Sequence, residues 1–114
     1  MELIAHILGA AMLVNAIPHL VQGLSGYEFP TPFAKPPAVG LSRPMVNVLW
    51  AAFNLAAGGA LLTVGDLRLG ANLESAALCG AALLAGVAIS RSAARAHARP
   101  RARPPQRTRP AKPL

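Results

Sequence analysis

The 114-residue chain is poor in charge and in aromatic rings: 13% of its residues are Asp, Glu, Lys or Arg, and 4% are Phe, Trp or Tyr. An ordinary soluble domain devotes about a quarter of its residues to charge, so this sequence cannot cover a water-facing surface of its own size. The shortage is regional. Up to residue 90 the basic residues are Lys35, Arg43 and Arg68, against Glu2, Glu28, Asp66 and Glu74. The rest of the eleven Lys/Arg lie beyond residue 90, with no acid among them, so the formal +7 belongs to the C-terminal tail. This balance argues against a compact soluble enzyme, and against a basic nucleic-acid-binding domain with it.

Cysteine is nearly absent. Cys79 alone cannot close an intramolecular disulfide and offers no metal-ligand spacing. Set in an Ala/Gly/Leu run, it reads as a small hydrophobe. Also missing are a Ser/His/Asp order, paired carboxylates and a Gly-rich phosphate loop. No catalytic residue, cofactor or metal is therefore expected, and the chain reads as a non-enzyme.

What fills the space is hydrocarbon. Three stretches, about 3–24, 45–64 and 69–89, contain no Lys or Arg apart from their flanks. Each is close to the roughly 20 apolar residues that cross a bilayer. Helices are expected, because backbone groups in lipid must be satisfied within their own segment. The third is the weakest, with Asn72 and Glu74 near its start. The first is not expected to be a cleaved signal peptide: Met1-Glu2 carries no basic n-region, and Asn15, Pro18 and His19 interrupt the apolar block. The expected fold is an all-α transmembrane three-helix bundle with a Pro-rich first loop. Residues 1–90 would form the membrane domain and 91–114 a disordered basic tail.

Three crossings place the first loop (Lys35, Arg43) and the basic tail on one face, and Arg68 alone on the other. Lys/Arg-rich segments stay in the cytoplasm, which predicts an outside N-terminus and a cytoplasmic C-terminus. The Arg-over-Lys bias suits a GC-rich bacterial genome, and hence a bacterial inner membrane. The first loop holds Pro30, Pro32, Pro36, Pro37 and Pro44 with Tyr27, Phe29 and Phe33 interleaved. Such a loop reads as an extended connector on the membrane surface with its rings at headgroup level, or as a docking motif for a partner. In the tail, Arg91, Arg95 and Arg99 are candidate contacts for anionic lipid headgroups, with Arg91 and Arg95 one turn apart and able to extend the third helix. No aromatic ring accompanies them, so no stacking platform exists and no specific nucleic-acid partner is expected.

Within the spans, polar residues are few and patterned. Asn15, His19 and Gln22 follow an i, i+4, i+7 spacing, which places them on one helical face. Asn47 and Asn54 are seven apart on the second span, beside Trp50 and Phe53. Together the five predict a polar interhelical cluster. Pro18 frees the Val14 carbonyl, and Asn15, His19 or a neighbouring span is a ready donor to it. His6 falls on another face. Asn and His bonding across helices is worth about 0.6 to 2 kcal/mol each, which makes them glue that sets helix register. The sharper alternatives are a proton relay, a quinone contact or a haem ligand at His19. A haem would need a second axial ligand, which a symmetric dimer would supply. Gly58-Gly59 in the second span, and Ala76, Gly80, Ala81, Ala85 and Gly86 in the third, give small-xxx-small spacings suited to close helix packing.

Three motifs, Asn15-Ala-Ile-Pro-His19, Phe29-Pro-Thr-Pro-Phe33-Ala-Lys-Pro-Pro37 and Val46-Asn-Val-Leu-Trp50, lie within about residues 10–62. In them the chain resembles a family of small bacterial multi-span membrane proteins with no established activity. The resemblance implies a membrane protein and nothing about chemistry. Together these readings favour a packing or accessory module that self-associates or joins a larger membrane complex. The alternative is an oligomeric permeation subunit lined by Asn15, His19, Gln22, Asn47 and Asn54. A membrane enzyme or cofactor binder using His19 comes third.

Overall fold

A computed structural model describes residues 1–100. Its element order is α1 (Glu2–Leu24), β1 (Phe29–Pro30), β2 (Leu41–Ser42), α2 (Pro44–Leu62) and α3 (Leu73–His97). All three helices are long and apolar enough to cross a membrane. At 1.5 Å per residue they span about 35, 28 and 38 Å, against a hydrocarbon core of about 30 Å. The chain is a multi-pass all-α membrane protein.

Local chemistry sets the ends. After α1, Gly26 takes φ 77°, the Tyr27 N–H reaches the Gln22 carbonyl (2.9 Å) and the Gly26 N–H reaches Gly23 (3.2 Å). This is a Schellman stop, and it needs glycine at the left-handed position. α2 starts with Pro44 in its first turn, where the missing N–H costs nothing. α3 is capped by the Asn72 side chain, which accepts from the Ser75 N–H at 2.8 Å.

That cap corrects the expected third span. The helix begins at Leu73 rather than 69, because Asn72 satisfies an orphan N–H and Gly70 holds φ 158°, outside helical space. It also runs to His97 rather than 89, extending through Arg91 and Arg95 as their one-turn spacing allowed, so 91–97 is helix and not disordered tail. Ala and Arg are strong helix formers, and the last turns are anchored rather than free. Ala96 is buried, and the Ser92 hydroxyl donates to the Ala38 carbonyl. The expectation of disorder for 101–114 lies outside the described residues.

The core is thin and lies mainly between α1 and α2. Gly9 and Gly58 meet backbone to backbone: a Cβ on Gly9 would stand 2.8 Å from the Gly58 carbonyl oxygen, and one on Gly58 2.9 Å from that of Gly9. Gly23 lies equally close to the Pro44 carbonyl and Val48. α3 packs mainly against α1 and leaves Leu83, Leu84 and Val87 exposed. Small residues thus serve the α1–α2 seam at Gly58, whereas Gly59, Gly80 and Gly86 have open space above them.

The Pro-rich loop departs from a surface connector. β1 and β2 pair antiparallel, Phe29 with Ser42 and Pro30 with Leu41, and fold the loop back over the helices. Both strands are edges, where proline is tolerated. Thr31 organises the turn: its carbonyl accepts from the Ala34 and Ala38 N–H groups, and its hydroxyl bonds Ser42. Tyr27 and Phe33 are exposed as expected of interfacial rings, but Phe29 is buried against His19.

Candidate functional site

At the loop end of the bundle, Asn47 is the organising residue. It sits one turn into α2 and is fully buried. Its Nδ2 faces three carbonyls, those of Phe29 (3.2 Å), Ser42 (3.1 Å) and Arg43 (3.2 Å). That fixes the amide's orientation, so Oδ1 faces His19 Nδ1 at 2.7 Å. An amide oxygen only accepts, and Nδ1–H is therefore the donor. In the neutral ring, Nε2 is then left as a bare acceptor. The ring is held edge-on by Phe29 (centroids 5.1 Å apart, 87°) and by Trp50 (6.5 Å, 84°).

Two turns further along α2, Asn54 donates to the Trp50 carbonyl at 2.8 Å, and its oxygen accepts from Asn15 Nδ2 at 3.1 Å. Four of the five expected cluster residues are thus brought together as two bonded pairs, Asn15–Asn54 and His19–Asn47. Gln22 is not. It lies a turn beyond the cluster, half-buried, beside Tyr27, Glu28 and His97. Neither Asn15 nor His19 serves the Val14 carbonyl that Pro18 was expected to free, because each donates to an asparagine oxygen of α2. Arg91, Arg95 and Arg99 are all exposed at the same end.

A half-open cavity of about 230 Å³ adjoins the cluster, lined by α1, α2, α3 and the folded loop. Asn15, His19, Phe29, Thr31, Trp50 and Ser92 are among its walls. A second crevice on α1, at Val14 and Pro18, faces Gly86 and Ser90 of α3.

At the opposite end the structure holds a pair that sequence reasoning missed. His6 is fully buried: its Nε2 contacts the Val64 carbonyl at 2.7 Å and its Nδ1 the Glu74 carboxylate. A carbonyl only accepts, so Nε2 carries a proton, and a further proton must lie between Nδ1 and the carboxylate. The other Glu74 oxygen accepts from the Arg68 N–H at 3.2 Å. The pair clamps α1 to the α2–α3 turn and to α3. The signal was present: three antiparallel crossings bring the start of the first span and the start of the third to the same membrane face. Sequence spacing places Glu74 only near the start of the third span and His6 only on a different helical face from Asn15.

Among the described residues no group of three or more His, Cys, Asp or Glu stands close enough to hold a metal ion. No protein-family model, curated protein or solved structure matches the chain.

Proposed function

We propose that this chain is a non-enzymatic packing module of the bacterial inner membrane, which associates with a second copy of itself through the outer face of α3. The observation that carries the packing role is the pairing of its intramembrane polar groups. Asn15, Asn47 and Asn54 are bonded to one another, to His19 and to backbone carbonyls. Such bonds set helix register. The same pairing argues against the permeation reading.

Support for self-association comes from α3. Gly80 has nothing within reach of a Cβ, and Cys79, Leu83 and Leu84 around it are exposed. Lipid offers no hydrophobic drive between helices, and a small residue flanked by leucines is what lets two backbones approach. The Lys/Arg distribution supports an outside N-terminus and a cytoplasmic C-terminus, with Arg91, Arg95 and Arg99 against anionic headgroups.

Cys79, the chain's one cysteine, tests the proposal directly. Oxidation in native membranes is expected to give a disulfide-linked dimer, lost in Gly80→Leu. Monomer throughout, even with a flexible bis-maleimide, overturns self-association. A cross-link to a different protein replaces it with membership of a larger complex.

A further inference from the structure

We propose that the cavity beside His19 is a binding site for a single aromatic ring bearing a hydroxyl group. The site is built independently of the association through α3. His19 is 4% exposed and its Nδ1 is committed to Asn47, yet Nε2 has no hydrogen-bond partner. No buried side-chain nitrogen or oxygen among the described residues is both sealed in and unpaired, so Nε2 opens on the cavity that His19 lines. Asn15, one turn earlier on α1, also lines it. Its Nδ2 is spent on Asn54, which leaves its Oδ1 as a second acceptor on that wall.

Two acceptors on one wall select a ligand that donates. Anions are refused by the same pattern, since lone pairs would face lone pairs. The other walls set the shape. Phe29 and Trp50 stand edge-on to the imidazole, and Ala88 and Ala93 of α3 leave room opposite. Aromatic edges and faces pair favourably with a further ring. The volume, about 230 Å³, is several times that of one water, and an engineered apolar cavity of about 150 Å³ already admits benzene. An amphipathic ring also concentrates at membrane interfaces, the depth at which this end of the bundle lies.

Trp50 lines the cavity and is the chain's one tryptophan, so its fluorescence reports occupancy. The full chain in phosphatidylcholine liposomes is titrated with phenol and with anisole, which has the same ring and oxygen but no O–H. Saturable quenching by phenol is expected, at an affinity about tenfold above that of anisole, the worth of one buried hydrogen bond. Ala93→Leu, which fills the cavity from α3 without touching the α1–α2 bonds, is expected to abolish the saturable phase. Linear, equal quenching by both compounds means partition into lipid only, and overturns the site. Equal saturable affinities overturn the assignment of Nε2 as acceptor. An unchanged phenol titration in Ala93→Leu places the ligand elsewhere and overturns it as well.

Discussion

Asn47 carries more of this molecule than any other polar side chain, because one amide joins four partners. Its nitrogen holds the carbonyls at both ends of the folded loop, and its oxygen fixes the His19 tautomer. Removing it takes the amide partner from the Phe29 and Ser42 carbonyls and from the His19 N–H, whereas removing Asn54 frees one amide of Asn15 and one helical carbonyl. Asn47→Ala is therefore expected to destabilise by about 1–3 kcal/mol, the desolvation cost of unpaired buried groups. Asn54→Ala is expected to cost about 0.6 kcal/mol, the usual worth of an interhelical bond in a membrane. Thermal unfolding of the two variants in one detergent checks the order; equal midpoints would refute it.

The helices pack through residues with no side chain to speak of. Along α1, Gly9, Ala16 and Gly23 recur every seven residues on the buried side, and α2 answers with Asn47, Ala51, Asn54 and Gly58. A seven-residue recurrence keeps one seam facing its partner, as in a coiled coil. Gly58 and Gly59 are neighbours in sequence and opposites in consequence. A Cβ on Gly58 would stand 2.9 Å from a backbone oxygen that cannot move aside, while one on Gly59 meets nothing. Gly58→Ala is expected to lower the unfolding midpoint by forcing α1 and α2 apart. Gly59→Ala is expected to leave it unchanged or raise it, since alanine is favoured over glycine in a helix by about 1 kcal/mol. Loss of stability in Gly59→Ala would mean that α2 meets another helix on that side.

Taken whole, the molecule is asymmetric from end to end. One end carries the folded Pro-rich loop, Lys35, Arg43 and the arginines of α3; the other carries the His6–Glu74 clamp and Arg68. This charge division predicts orientation. In a Cys79→Ser background, an impermeant maleimide added to intact cells is expected to label Asp66→Cys in the α2–α3 turn. It is expected to spare Phe33→Cys in the exposed part of the first loop until the membrane is opened. The reverse pattern would invert the topology.

Hydropathy and helical spacing were enough for the three spans and for the pairing of Asn15 and His19 with α2, because both depend on periods written along the chain. Hydrocarbon admits few backbone solutions, so length and polarity leave little choice. The start of α3 is local too, in the spacing of Asn72 to Ser75. Three-dimensional packing decided the rest: that Gln22 stands apart and that Phe29 is buried. It also decided that His6 meets Glu74 across 68 positions. Each of these depends on which neighbour comes within hydrogen-bond or van der Waals reach once three rods and a folded loop share one space. No local period encodes that distance.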